Sequence, residues 1–268
     1  MDKTSSPETT SLSELVDLSG RTAIVTGGAM GIGLGVVRRL YEAGASVVIA
    51  DIDGKAAEAA ASAFDDAGRI RALAADVSSA EDADAMVRTA VEAFGGLDIL
   101  VNNAGVFQGS PFLETGLELA RRTLDVNLLG VMLCSQAAAR RMIEQGRGGR
   151  IVTVNSVESV NPSVLGLSHY AASKHGVAGL IKTMALELAP HGIAVNNVCP
   201  GGTRTPGLAP LMDEDGIAEL EKRIPLGRIG LPDDIARVVL FLASGLAAFM
   251  TGTQVIVDGG QTLRGAAV

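Results

Sequence analysis

Tyr170 and Lys174 stand four residues apart in "HYAASKHGVAGL", a stretch of small and apolar residues with a helical cast. At that separation two side chains lie one above the other on a helix face, so a phenol and an ammonium become neighbours. A nearby cation favours the phenolate, and a phenol's ordinary pKa of about 10 is otherwise too high for proton transfer at neutral pH. The pair reads either as a general acid/base with its electrostatic helper or as an amphipathic rim. The rest of the chain has to separate the two.

A second group of residues bears on phosphate chemistry. An apolar run ends in "TGGAMGIG", Thr26 to Gly33, and continues directly into a helical pattern. Glycines at 27, 31 and 33 let the backbone turn tightly and approach a pyrophosphate, and the free amides of a helix N-terminus supply donors and positive potential. The next apolar run ends in Asp51, close to the roughly 20-residue offset at which an acidic residue accepts hydrogen bonds from an adenosine ribose. A carboxylate there repels a 2′-phosphate, and neither Met30 nor Ile52 offers a base to attract one, so NAD is expected over NADP. The competing role for Asp51 is to cap a helix starting near Gly54.

These residues need a scaffold, and the sequence describes one. From residue 22, short apolar runs alternate with Ala-rich segments of helical period: "TAIVTG", "SVVIAD", "IRALAAD" and "LDILVNN" are each followed or preceded by a helix. Runs that are apolar throughout are buried on both faces, as in a parallel sheet covered by helices. The second half continues with a helix over about 115–145, "GRIVTVNS", the helix carrying Tyr170, "GIAVNNVCPGG", a helix opening at Pro232 and a final strand "TQVIVDGG". The expected fold is α/β, a doubly wound parallel sheet in a single domain over 18–268. Residues 1–17 are read as a flexible lead-in, and the irregular stretch 203–228 as a substrate lid.

Composition narrows the partners. A net charge of −8 with no Lys/Arg cluster argues against nucleic acid or an anionic membrane, and no apolar stretch is long enough to span a bilayer. The opening residues lack the pattern of a secretory signal. Cys134 and Cys199 sit in apolar runs without ligand spacing, and the three histidines, His169, His175 and His191, match no metal pattern. A small-molecule substrate, a cytoplasmic location and no metal are the expectations.

With the order of these motifs in view, the chain resembles the short-chain dehydrogenase/reductase family over nearly everything from Leu18 to Leu263. "TGGAMGIG", with Gly27, Gly31, Ile32 and Gly33, matches that family's TGxxxGxG. "ADVS" at 75–78 looks like its adenine-pocket segment, with Asp76 and Val77 beside the ring; "NNAG" at 102–105, including Asn103, Ala104 and Gly105, matches the turn supporting the cofactor. Asn127 in "LDVNLLG", Ser156 in "IVTVNS", and Tyr170 and Lys174 in YxxxK are similar to its active-site set. "PGGTRT", with Pro200, Gly201, Thr203 and Thr205, resembles its segment around the nicotinamide.

The resemblance implies a Rossmann fold, a homotetramer, and an NAD-dependent dehydrogenase acting on a secondary alcohol or its ketone. It further implies that Tyr170 exchanges a proton with the substrate oxygen. Lys174 would lower the phenol's pKa and bond the nicotinamide ribose, Ser156 would hold the same substrate oxygen, and Asn127 would hold a water relaying protons to Lys174. Two other readings stay open: an idle NAD-sensing protein, and a non-redox enzyme with tightly held NAD.

Two departures concern the substrate pocket. Asn155 stands where the family often has a first serine, and the interval from Ser156 to Tyr170 is one residue longer than the commoner spacing. Ser159 and Ser163 are rival serines in that loop, and Glu158 is its only charged residue. A carboxylate there is either solvated or available to a polyol hydroxyl or a cationic group. His169 adjoins Tyr170 but points about 100° away on a helix.

Overall fold

The computed structural model describes residues 10–162, 164–208 and 212–263. Seven strands, β1 (Thr22–Thr26), β2 (Ser46–Asp51), β3 (Ile70–Ala74), β4 (Ile99–Asn102), β5 (Gly149–Val154), β6 (Ile193–Pro200) and β7 (Gln254–Val257), form one sheet in the order β3-β2-β1-β4-β5-β6-β7. Every pairing is parallel. The chain winds outward from β1 in one direction and from β4 in the other, which opens a crevice at the carboxyl ends of these strands, where such sheets take ligands.

The alternation along each strand feeds two cores. On β1, Ala23 and Val25 face a core with α2 (Gly31–Glu42), α3 (Gly54–Ala61) and α9 (Pro232–Ala243), while Ile24 faces one with α4 (Ala80–Phe94), α6 (Gly130–Gln145) and α7 (Ser168–Leu188). All five β1 residues are buried, which is why the run is apolar throughout rather than alternating.

Three expectations are modified. The helix expected over about 115–145 is α5 (Leu117–Leu124) and α6 joined through a π turn, Asp125–Leu129, in which the Gly130 amide reaches back to the Asp125 carbonyl. The extra residue in that turn widens the helix at Asn127. The irregular stretch 203–228 contains α8 (Glu214–Arg223), started by Asp213, whose side chain accepts from the Gly216 amide; residues 209–211 lie outside the described ones. Within the lead-in, Leu12–Val16 form a helix, α1, because Ser11 and Glu14 cap each other reciprocally, and it rests against the turn at Gly245–Ala247.

Candidate active site

At the carboxyl edge of the sheet lies a cavity of about 840 Å³. Its floor on the β1 side is the glycine turn. Gly27 and Gly31 have φ of 59° and 55°, a region that favours glycine. A Cβ on Gly33 would stand 2.0 Å from the Gly27 carbonyl oxygen and 2.6 Å from Asn103 Nδ2, so no side chain fits there. Asn103 ties the turn down: its amide group donates to the carbonyls of Thr26 (3.0 Å) and Gly27 (2.8 Å). Thr26 Oγ1 accepts from the amides of Asn103 and Ala104. The opening amides of α2 face this turn, and Met30 at its N-cap makes no side-chain bond that would occupy them.

Asp51, at the end of β2, lines the cavity without capping α3. Asp53 performs that task, accepting from the Ala56 amide at 3.1 Å. The Asp51 carboxylate instead accepts from the Ala29 and Asp53 amides, both at 3.1 Å, which fixes it beside the glycine turn. Asp76 is held by the Ser78 hydroxyl (2.6 Å) and amide (2.9 Å), and Arg122 lies 3.6 Å from its other oxygen. The Ser78 hydroxyl and Arg122 hold the Asp76 carboxyl below its ordinary range. Val77, Ala104 and Gly105 continue the wall, and Pro200, Gly201, Thr203 and Thr205 face them from beyond β6. A turn without room for side chains, unoccupied helix amides and a fixed acidic residue fit a dinucleotide.

Ser156, Tyr170 and Lys174 line the same cavity as Ile32 and the glycine turn. Ser156 follows β5 and caps the short turn Val157–Ser159, accepting from the Glu158 amide at 3.1 Å. Its hydroxyl also favours the charged form of the Tyr170 phenol, acting to lower that group's pKa. Lys174 is buried one helical turn along from Tyr170, with Nζ 5.5 Å from the phenol ring centre, and donates to the Val154 carbonyl at 3.2 Å.

Burial dominates the electrostatics of the pair. Burial pushes the Tyr170 phenol up to about 12; the Ser156 hydroxyl opposes the rise and the Glu158 carboxylate adds to it. Burial likewise pushes the Lys174 ammonium down to about 8. Stacking at i,i+4 brings the two residues together, but the cation points toward the end of β5 rather than onto the phenol oxygen.

Two of the expected site residues lie outside the cavity lining. Gly33 sits beneath the glycine turn. Asn127, 1% exposed, commits its side chain to the residue 106 backbone, donating to the Val106 carbonyl (2.9 Å) and accepting from its amide (2.8 Å), with a further 3.3 Å bond to Ser173. It thus fixes the segment after β4, leaving no side-chain bond to Lys174 among the described residues.

The substrate end of the cavity is bounded by Phe107, whose ring packs edge-on against Tyr170 at 4.9 Å, by Val157, Leu165 and Leu167, and by Leu208, Met212 and Leu220. Glu158 lies among them and is 4% exposed, which overturns its reading as a solvated charge. The Ser156 cap turns the chain so that residue 158 faces inward. Ser159 is directed elsewhere, its hydroxyl donating to the Ser156 carbonyl at 2.6 Å; Ser163 lies outside the described residues. His169 points away from the cavity and bonds the Gln108 carbonyl at 2.9 Å. Among the described residues no group of side chains could hold a metal, no helix is long and apolar enough to cross a membrane, and Cys134 and Cys199 are buried free thiols.

The sequence reading missed Arg122, whereas Leu208, Met212 and Leu220 fall in the 203–228 stretch expected over the substrate. Arg122 lies 46 residues beyond Asp76 (122 − 76), on another element, and only its neighbour Asn127 hinted that this helix passes the crevice.

Comparison with known proteins extends this geometry. The family model described as "Enoyl-(Acyl carrier protein) reductase" matches residues 27–262. The chain is 39% identical to L-rhamnose 1-dehydrogenase (NAD(P)(+)) of Azotobacter vinelandii over 254 residues, 91% of this chain and 97% of that protein. It is 41% identical to 2,5-dichloro-2,5-cyclohexadiene-1,4-diol dehydrogenase of Sphingobium indicum over 249 residues, 92% and 98% of the two chains. A crystal structure of a short-chain type dehydrogenase/reductase from Mycobacterium marinum superimposes with a TM-score of 0.91 at 39% identity, covering 95% of this chain and all of that one.

Proposed function

The chain belongs to the short-chain dehydrogenase/reductase family, and from that premise we propose that it interconverts a secondary alcohol and its ketone with NAD as the hydride carrier. The observation that carries the reading is the cavity that brings Ser156, Tyr170 and Lys174 together with the glycine turn of α2. Bound there, a nicotinamide would supply hydride chemistry, and the glycine turn, Asp51, Asp76, Asn103 and the 200–205 segment would hold the rest of its dinucleotide.

The protein's own residues then handle the proton. Ser156 holds the substrate oxygen by its hydroxyl, polarising a carbonyl or orienting an alcohol. Tyr170 takes the hydroxyl proton in oxidation and returns it in reduction, because the charge on that oxygen changes only as the carbon–hydrogen bond breaks or forms. Lys174 spends one proton on the Val154 carbonyl and keeps two donors for ribose hydroxyls. Asn127 acts by holding Val106, and thereby the wall between cofactor and substrate, in place; its relay role in the resemblance would need an atom other than its carboxamide.

NAD is preferred over NADP in this proposal because Asp51 occupies the position a 2′-phosphate would approach, with Met30 and Ile52 beside it. The L-rhamnose relative's name carries both cofactors, so the preference proposed here rests on Asp51 and not on that likeness. Family membership also supports a cytoplasmic homotetramer. The test is absorbance at 340 nm with NAD, and separately NADP, across secondary alcohols, polyols and hydroxysteroids. Turnover with NAD is the expected result. Tight NADH binding with no turnover would support the idle sensor, and product without net NADH the non-redox enzyme.

A further inference from the structure

Glu158 is a buried carboxylate in the wall of the cavity that holds Ser156 and Tyr170. It lies two residues after Ser156 in a turn that Ser156 itself caps, and is 4% exposed. Phe107, Val157, Leu165 and Leu167 line the same cavity. A buried carboxylate is costly unless donors meet it, and its two oxygens offer about four acceptor positions, more than a single donor fills. The Ser156 cap folds residues 156 and 158 into one tight turn, and both line the cavity with Tyr170. The carboxylate therefore stands on the same side of the cavity as the group that holds the reacting oxygen.

Resting on the dehydrogenase reading above, we propose that Glu158 selects vicinal diols, accepting a hydrogen bond from a hydroxyl on the carbon next to the one whose oxygen Ser156 and Tyr170 hold. A ring or chain carrying the two hydroxyls would present its carbon face to Phe107 and the leucines. A cationic group in the second position is disfavoured, because Lys174 already brings a buried ammonium to the same cavity. The chemistry is positional: one carbinol is oxidised, and its neighbour serves as the handle.

The test compares cis- and trans-1,2-cyclohexanediol with cyclohexanol, which lacks only the second hydroxyl, and with 2-aminocyclohexanol. The wild-type protein is expected to favour at least one diol over cyclohexanol by about thirtyfold in kcat/KM, the scale of a hydrogen bond to a charged group. Glu158→Leu should bring that ratio to within about threefold of one, and Glu158→Gln, which keeps an acceptor oxygen, should restore part of it. A ratio cancels any effect of the substitution on Tyr170 itself. Equal use of diol and cyclohexanol by the wild type, or an unchanged ratio in Glu158→Leu, overturns the proposal. Preference for the amino alcohol overturns it in favour of a cation. If no alcohol is oxidised, the dehydrogenase reading fails, and calorimetric binding of the same compounds to the NADH-loaded protein still decides the inference: tighter diol binding, weakened in Glu158→Gln or Glu158→Leu, supports it, and equal binding overturns it.

Discussion

A buried carboxylate stands at each end of the sheet, and the two are treated in opposite ways. At the amino end Asp98, 3% exposed, accepts from Arg21 (3.1 Å), from both Arg147 donors (2.9 and 3.0 Å) and from the Thr22 amide (2.9 Å). These bonds staple the starts of β1, β4 and β5 together. At the carboxyl end Glu158 is as deeply buried but lines the cavity with Tyr170. Burial pushes that phenol up to about 12, with the Glu158 charge adding to the rise, and pushes Lys174 down to about 8. At the first end each charge is matched by partners that stay partly in water; at the second, burial works against the charged forms of the phenol and the ammonium. Charges arranged the first way stabilise a fold, and charges arranged the second way are set to exchange protons and meet ligands.

Four substitutions separate the two ends. The largest effect is expected of Tyr170→Phe, which removes the proton carrier and should lower turnover about a thousandfold, while NADH binding by fluorescence titration stays nearly intact. A residual rate within tenfold of wild type would remove Tyr170 from the chemistry. Asp98→Ala should do the reverse. It leaves the Thr22 amide buried without its acceptor and should cost about 2–3 kcal/mol, read as a Tm lower by roughly 5–10 °C. Its turnover per folded molecule should be unchanged. An Asp98→Ala protein as stable as wild type but slow would erase the contrast between the ends.

A smaller change is expected of Asp51→Ala, which should narrow the ratio of kcat/KM for NAD over NADP by about tenfold, the scale of one lost charge–phosphate repulsion near the surface. An unchanged ratio would mean that Asp51 serves only the Ala29 and Asp53 amides. The smallest is Glu158→Gln. Because Glu158 raises the phenol's pKa, neutralising it should move the rise of alcohol oxidation toward lower pH, in a kcat/KM profile taken with any accepted alcohol. A shift the other way would contradict the placement of its charge.

The scaffold was legible because its signals are local and repeated. An apolar run buried on both faces reads the same wherever it occurs, and the strands expected at "TAIVTG", "SVVIAD" and "TQVIVDGG" are β1, β2 and β7. The phosphate turn was legible for a related reason, since Gly33 answers to a clash with Gly27 only six residues away. Glu158 was not, because whether a loop carboxylate faces water or a cavity depends on the Ser156 cap and on α7 packing behind it, neither of which residue types in the loop encode. The same limit applied to the phenol. Helical spacing brings Lys174 beside Tyr170, whereas the direction of Nζ depends on the Val154 carbonyl at the end of a strand 20 positions earlier. The π turn at Asn127 likewise reflects one extra residue in a helix whose composition is continuous through it.

The central claim is that the Tyr170 phenol carries the substrate's proton, and paired pH profiles test it most directly. Below a phenol pKa of about 12 the phenolate fraction rises tenfold with each pH unit. Oxidation of an alcohol needs the phenolate, so its kcat/KM should climb with pH from neutrality. Reduction of the matching ketone needs the protonated phenol and should hold its rate at neutral pH, declining only in base. Opposed profiles, both abolished in Tyr170→Phe, are the predicted result; an oxidation rate that is flat or falls as pH rises from neutrality would contradict it.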